Sequence, residues 1–423
     1  MSRENGRKVV ITGMGAISPI GNDVKRMWEA AKAGVCGIDT ITQYDTSNQK
    51  VHLAGEVKGD DWAEVIDKRE IRRMDRYSQL AIAAAVEAMR DSGMEDFLNN
   101  GGEEADRLKL RFATLVSSGI GGIGTIESEH AKGEEKGFDR VSPFYIPMSI
   151  SNMGAAWVAI RYGLHGMCSC SVTACASSGY SIGEGLRLIR DGYADAAICG
   201  GSESSITPLS IGGFTSMKAL SNSDDKTRAS IPFDAERSGF VMGEGAGMLI
   251  LEEEEHAKKR GAHIYAELAG FGANCDAYHI TAPDPEATMA VECLKEAIAD
   301  AGMNASDIDY INAHGTSTPL NDKGETKAIR AAFGEYADRL SVSSTKSMTG
   351  HLLGASAVVG SIFAIKAIED SFVPPTIGYK VPDPECDLDI TPNVGREREV
   401  RASICNSLGF GGHNATLVFR KYQ

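Results

Sequence analysis

One order of elements occurs twice along the chain, and nothing else in the sequence narrows the possible folds as far. The stretch MCSCSVTACASSGYSIGEGLRLIRDG (167–192) reads as strand, turn and a helix of small residues. ADAAICGGSES (194–204) then reads as a strand with a glycine exit, and GAGMLILEE (245–253) as a further strand. In the second half, RLSVSSTKSMTGHLLGASAVVGSIFAIKAIEDS (339–371) is again strand, turn and small-residue helix. RASICNSLGFGG (401–412) and HNATLVFRK (413–421) follow as strand, glycine exit and strand. Repeats decide architecture before any motif does. The expectation is a duplicated α/β unit whose Gly-, Ala- and Ser-rich helices pack closely between two sheets. Chance likeness between two generic α/β units is the competing explanation. The seam falls near Gly261, which gives expected halves of 1–262 and 263–423, and the return in the second half is lengthened by a proline-rich surface excursion at 373–395.

Other segments fit an α/β chain. RKVVITGMGAISPIG (7–21) reads as a buried strand running into a glycine-rich turn. It resembles a dinucleotide fingerprint, but Ser18 stands where the third glycine belongs and no acidic ribose partner follows at the right distance, so NAD is set aside. Residues 75–93 follow a helical period that stops at Gly93, and 110–122 read as a strand followed by a glycine loop. A further helix is expected over 283–302, with Asp284 as cap, Pro285 in the first turn and Gly302 as stop. The charged run 251–261 reads as an exposed helix.

Composition excludes several classes. At 423 residues with 42% hydrophobic and 24% charged content, the chain is too long for one small core and shows no linker, so two tightly fused halves are expected. No run approaches the roughly 18 apolar residues that span a bilayer, and the start MSRENGRKVV has no apolar signal core. A cytoplasmic location is expected. Nine cysteines form no regular framework, which favours reduced, mostly buried thiols over disulfides. A net charge of −15 argues against nucleic acid, whose phosphates need a concentrated basic surface. The run KREIRR (68–73) is the local exception, placing Lys68, Arg69, Arg72 and Arg73 together as either a solvated helix face or a dock for an acidic partner.

Three residues stand where chemistry is built. Cys175, in TACASS, lies between a strand end and a helix start, where unpaired N–H groups and the helix dipole are expected to lower a thiol's pKa. Such a thiol accepts acyl groups well, although an inert buried cysteine is the plainer reading for any single cysteine. The spacing of Cys168, Cys170 and Cys175 lacks the paired pattern of a zinc set, so no metal is expected. His314, in NAHGTSTPLND, ends an apolar strand; His351, in KSMTGHLLGAS, precedes a helix, with Lys346 five residues before it. In open α/β sheets, ligands bind at the carboxyl ends of strands. Each histidine alone reads as a structural hydrogen-bonder, but two at equivalent exits beside a helix-entry cysteine point to a shared site.

These motifs, with PFDAERSGFVMGEGAG (232–247) and NSLGFGGHN (406–414), closely resemble the condensing enzymes called 3-oxoacyl-acyl-carrier-protein synthase II, from Val9 to Phe419. The resemblance implies a thiolase-like fold of five α-β-α-β-α layers and decarboxylative condensation of an acyl thioester with malonyl-acyl-carrier-protein in fatty acid elongation. Cys175 then matches the acyl-accepting nucleophile, and His314 and His351 the pair that drives decarboxylation through neutral Nε N–H groups. Lys346 matches the family's lysine, and Glu325 the glutamate that pairs with it and holds the histidine geometry. Phe410 matches the gating phenylalanine, whose backbone N–H joins that of Cys175 in an oxyanion hole. Thr316 and Thr318 match hydroxyls that hold the pantetheine arm, and Ile120 a residue at the end of the acyl channel. Arg69, Arg72, Arg73 and Lys218 match the basic patch that docks an acidic acyl carrier protein. A homodimer is implied, with no metal and no resident cofactor, the 4'-phosphopantetheine travelling on the carrier. The chain departs from the pattern at His413, where threonine is common, at Ser238, where aspartate is frequent, and in the cysteine-rich GMCSCS (166–171), whose Cys168 and Cys170 are expected to be small buried fillers.

A thiolase would carry a second catalytic cysteine in the glycine loop, where this chain has Phe410. A third-type synthase would replace His351 with asparagine, and a non-catalytic chain-length subunit would lack Cys175. The open alternative is a polyketide or specialised-lipid ketosynthase, which shares these motifs.

Overall fold

The computed structural model describes residues 6–423, so the first five residues of the start read above lie outside the described residues. Ten strands form the main sheet: β1 (Val9–Ile17), β2 (Phe112–Ser117), β3 (Cys168–Ser169), β4 (Ala196–Glu203), β5 (Gly245–Glu253), β6 (Ala266–Cys275), β7 (Tyr310–Asn312), β8 (Ser341–Ser343), β9 (Ala402–Gly409) and β10 (His413–Arg420). Their spatial order is β8-β7-β9-β10-β6-β1-β5-β4-β2-β3. Read outward from the middle the two sides match: β1 and β6 are central, β5 and β10 lie antiparallel beside them, then β4 and β9, with parallel pairs beyond. The repeat in the sequence is therefore a repeat in topology. The two sides touch through a narrow antiparallel seam of two pairs, Val10 with Glu267 and Ile11 with Ala266, which joins the two five-strand halves edge to edge.

Helices complete five layers. α1 (Arg76–Asp91) packs on β1 and β5 from one outer side, while α3 (Thr288–Asp300) covers β6 and β10 from the other and α4 (Pro319–Phe333) packs beside α3, its Ala328, Ile329 and Phe333 clustering with Ile311, Val342 and Ile404. Between them lie α2 (Ser177–Arg190) and α5 (Ser356–Asp370), which touch each other and strands of both sides. Their small residues have a steric cause. A Cβ on Gly185 would meet Cys199 Sγ at 2.4 Å, and one on Gly183 would sit 2.3 Å from the Phe271 ring. Close-packed interiors do not absorb such overlaps without displacement, and overpacking costs roughly 1–3 kcal/mol.

Three local expectations need correction. α3 starts at Thr288, not in the turn after Asp284: Ala287 adopts φ 54, and Asp284 accepts from the N–H groups of Glu286 and Thr288 at 3.1 and 3.3 Å, capping a separate turn. The run 251–261 is strand to Glu253 and helix only over Glu254–Lys259. Within it Glu252 is fully buried, accepting from Thr12 at 2.9 Å and pairing with Arg260 at 2.7 Å. Cys168 is exposed and Cys170 half-buried, because β3 is a two-residue strand at the sheet's edge, so neither is a buried filler. All nine cysteines are free, five of them buried. No helix among the described residues is long and apolar enough to cross a membrane.

Candidate active site

The site forms where the elements after β2, β4, β7 and β8 meet the starts of the two central helices. Before α2, residues Ala174–Ala176 make a tight 3-10 turn in which Ala174 is forced to φ 50. Before α5, Leu353–Ala355 repeat that turn with Leu353 at φ 45. A residue with a side chain is rarely held left-handed, so two such residues at matching points mark turns fixed by their surroundings. The first turn carries Cys175, which is 8% exposed, and the second is entered from His351.

Cys175 Sγ lies 3.0 Å from His351 Nε2. The His314 and His351 rings stand nearly perpendicular with centroids 5.3 Å apart, and ligand atoms of all three residues fall within 4.8 Å of one another. Phe240 packs edge-on against His351 at 5.3 Å. His314 follows β7, and its loop is held by a buried carboxylate: Glu325, on α4, accepts from the N–H groups of His314 and Gly315 at 2.7 Å each and from Asn406 Nδ2 at 2.9 Å. Those three donors explain a departure from expectation. Among the described residues Glu325 forms no ion pair with Lys346 and acts on it only through space. Lys346, 6% exposed, sits in the turn of helix after β8, where Ser230 Oγ donates to its carbonyl at 2.8 Å.

Electrostatics overturns one reading. Burial pushes the Cys175 thiol up to about 12, outweighing the Lys346 charge and the N–H groups of Phe410 and Cys175 that pull it down. Ile206, Phe240 and Leu353 belong to the apolar cluster around it, and desolvation of the anion outruns the helix-start effect. Burial also drives both imidazoles well below the ordinary histidine value, helped in each case by Lys346. Burial lowers Lys346 and raises Glu325. At neutral pH the site holds a thiol and two uncharged imidazoles side by side.

The trio opens into a cavity of about 840 Å³, lined by Ile120, Thr316, Thr318, Lys218 and Phe410 among others. Thr316 and Thr318 hydroxyls are 3.0 Å apart, and Phe410 leans on Phe214 with centroids 6.3 Å apart. Lys218 is exposed at this cavity with φ 56, while Arg69, Arg72 and Arg73 lie on the surface around the single helical turn Lys68–Ile71. Arg73 covers the Phe144 ring at 5.0 Å. None of these four exposed cations makes an ion pair with a described acidic residue within 4.0 Å. Ser238 lines the cavity too, whereas His413 packs against Tyr180 at 6.2 Å.

Cys175, His314 and His351 are also the only described group of such residues that could hold a metal ion. A cation there would need the thiolate, which burial disfavours, and would face the positive Lys346 nearby.

Sequence reading missed Glu203, Asn406 and Ser356. Glu203 is fully buried at the end of β4 and accepts from Ser118 Oγ at 2.8 Å, Gly119 N at 2.8 Å and Gly354 N at 3.0 Å. It ties the Ile120 loop to the turn after His351. Its signal was its place at the glycine-rich end of β4; Asn406 lies inside β9 and has no such local mark. Ser356 is marked by lying at the helix start that repeats Ser177.

Residues 6–257 match the model of the beta-ketoacyl synthase N-terminal domain and 265–380 that of its C-terminal domain. A protein named 3-oxoacyl-[acyl-carrier-protein] synthase 2 from Staphylococcus aureus (strain COL) is 51% identical over 417 residues, 99% of each chain. One of the same name from a Synechocystis species is 47% identical over 425 residues, all of both chains. Among solved structures, a beta-ketoacyl synthase from Burkholderia phymatum superposes with TM-score 0.89 at 31% identity, covering 99% of this chain and all of that one. A type II PKS acyl-carrier protein in complex with its ketosynthase bound to the hexaketide superposes with TM-score 0.88 at 34% identity, again over 99% and 100%. Both halves of one family fit in order along a thiolase-like fold, and the chain belongs to the beta-ketoacyl synthase family.

Proposed function

We propose that the protein joins an acyl group held on Cys175 to malonyl-acyl-carrier-protein by decarboxylative Claisen condensation, releasing carbon dioxide and 3-oxoacyl-acyl-carrier-protein for fatty acid elongation. The observation that carries this reading is the thiol 3.0 Å from an imidazole, with a second imidazole in the same cavity. The acyl group transfers first to Sγ, and its carrier leaves before malonyl-carrier enters, a ping-pong course. The N–H groups of Cys175 and Phe410, which already bear on Sγ, receive the tetrahedral oxyanion; one such donor is worth about 10²–10³ in rate. As carbon dioxide leaves, charge grows on the malonyl thioester oxygen, and two neutral ring N–H groups suit it. Water must stay out, because it would protonate the carbanion before it reaches the acyl carbon. Glu325 and Lys346 hold and tune the histidines, Phe410 gates, Thr316 and Thr318 hold the pantetheine arm, and Ile120 bounds the acyl chain. The half carrying Cys175 (1–262) and the half carrying both histidines (263–423) each supply part of the machinery.

No metal or resident cofactor enters this scheme; the 4'-phosphopantetheine arrives on an acidic acyl carrier protein that docks on Arg69, Arg72, Arg73 and Lys218. The enzyme works in the cytoplasm as a homodimer. The exposed apolar side chains Ile160, Met167 and Val172 flank β3, an edge strand with an open side, which is the kind of surface a second copy covers. Sedimentation at twice the mass of one chain is the expected outcome; a monomer would remove that part of the reading.

Polyketide extension is the second reading, favoured by the type II PKS complex at 34% identity, and the 51% identity to synthase 2 weighs against it. Incubation with acyl carriers of both kinds, followed by intact-protein mass analysis, separates them. A fatty acyl adduct on Cys175 that disappears in Cys175→Ala is the expected result. Loading from a polyketide carrier alone would overturn the elongation reading, and no adduct from either would overturn the condensation.

A further inference from the structure

The two central helices begin with equivalent serines used differently. Ser177 Oγ donates to the Ala174 carbonyl at 2.6 Å and accepts from Thr173 N at 2.9 Å, so it is spent inside its own turn. Ser356 opens α5 after the matching turn and is 5% exposed, yet its hydroxyl's hydrogen bond goes to His351 Nδ1 at 2.8 Å. The other ring nitrogen, Nε2, is the one 3.0 Å from Cys175 Sγ. A neutral imidazole carries one N–H, so whatever sits at Nδ1 decides whether Nε2 accepts or donates. A backbone carbonyl there would only accept and a backbone N–H would only donate. A serine hydroxyl does either by rotating.

We propose that Ser356 is a positioning residue that lets His351 serve both half-reactions: it accepts from Nδ1–H while Nε2 takes the proton of Cys175, and donates to Nδ1 while Nε2–H faces the enolate oxygen. This rests on the condensation proposed above. The thiol, raised by burial, has little anion of its own at neutral pH and needs an acceptor at hand. In acyl transfer the Sγ proton passes to Nε2, Sγ bonds the thioester carbon, the bond to the pantetheine sulfur breaks, and the Nε2 proton goes to that departing sulfur. Between the departure of one carrier and the entry of the next, before any carbanion exists, the ring loses its Nδ1 proton to solvent and takes one at Nε2, with no net gain. In condensation the malonyl carbon–carboxyl bond breaks to release carbon dioxide, Nε2–H supports the enolate, the new carbon–carbon bond forms, and the carbon–Sγ bond breaks. The negative charge that entered as carboxylate ends on Sγ. Nε2 returns a proton to Sγ while Nδ1 takes one from solvent, which restores the starting state.

The test uses the full chain as Ser356→Ala and Ser356→Thr. Iodoacetamide should alkylate Cys175 about 10-fold more slowly in Ser356→Ala, the loss expected for one hydrogen bond to a charged ring, while Ser356→Thr stays near wild type. Nitrogen-15 spectra of histidine-labelled protein should show His351 shared between two tautomers in wild type and fixed in one in Ser356→Ala. Acyl transfer should fall further than malonyl-carrier decarboxylation, since only the former puts a second proton on the ring. Unchanged alkylation and unchanged ring-nitrogen shifts in Ser356→Ala would overturn the proposal. So would equal loss of both half-reactions in the Ala and Thr variants with a lowered melting temperature, which marks a packing role. Alkylation and spectra need no carrier, so they decide the role of Ser356 even if the wild-type protein forms no acyl-enzyme and the condensation reading falls.

Discussion

At the scale of single residues, Lys346 sets the electrical tone of the site. It is the strongest influence lowering the Cys175 thiol against burial, and it also lowers His314 and His351. Replacing it with an uncharged side chain of similar length therefore moves the nucleophile and the imidazoles the same way, upward. Lys346→Met should leave less thiolate at neutral pH and slow Cys175 alkylation by about 10-fold or more. It should also bring both histidine titrations closer to the ordinary range, read by proton NMR. Faster alkylation in Lys346→Met would show that the lysine opposes the thiolate, reversing the sign argued here. A buried cation with no ion-pair partner among the described residues is costly, so the charge is held for its effect on its neighbours and not for stability.

Among the elements, α1 shows how a buried carboxyl can pin a helix and make the fold sensitive to pH. Glu87, on α1, accepts from Ala16 N at the end of β1 and from Val24 N, both at 2.8 Å. Burial drives its carboxyl from 4.5 to about 8. The folded state thus keeps the proton in a range where the unfolded chain has lost it, and stability falls as pH rises from about 4.5 toward about 8. Glu87→Gln should flatten that slope; its amide accepts from only one of the two N–H groups, so it should melt below wild type near pH 4 with the gap narrowing toward pH 8, whereas a parallel pH dependence in both proteins would exclude Glu87 as its source. Glu87 also illustrates where sequence reading ends. The repeat, the strand exits and the helix of 75–93 were legible because periodicity and glycine stops are local signals, and they led to Cys175, His314 and His351. The Glu252–Arg260 pair, the late start of α3 at Thr288 and the raised thiol were not, since burial by distant segments has no local mark. Cys175 was found by position, and its expected pKa was wrong because the helix start is a local feature while desolvation belongs to the whole wall.

For the molecule as a whole, charge presents a contradiction that salt can resolve. A chain of net charge −15 repels an acidic partner at long range, yet Arg69, Arg72 and Arg73 are exposed with no ion pair to an acidic side chain among the described residues. Which term wins depends on the distance over which charges see each other, about 30 Å at 0.01 M salt and about 8 Å at 0.15 M. At moderate salt the partner senses the local patch and little of the rest, so further salt weakens an attraction. With all three arginines reversed to glutamate, patch and whole carry the same sign, and added salt screens a repulsion. Carrier affinity in the wild-type protein should therefore fall between 0.1 and 0.5 M salt, values chosen on the order of these screening lengths. In the triple variant it should start lower and stay level or rise. The reversal of slope is the informative outcome, because a variant that merely misfolds loses affinity at every salt concentration. Equal slopes in the two proteins would mean that the carrier docks elsewhere, leaving the exposed arginines as a solvated face.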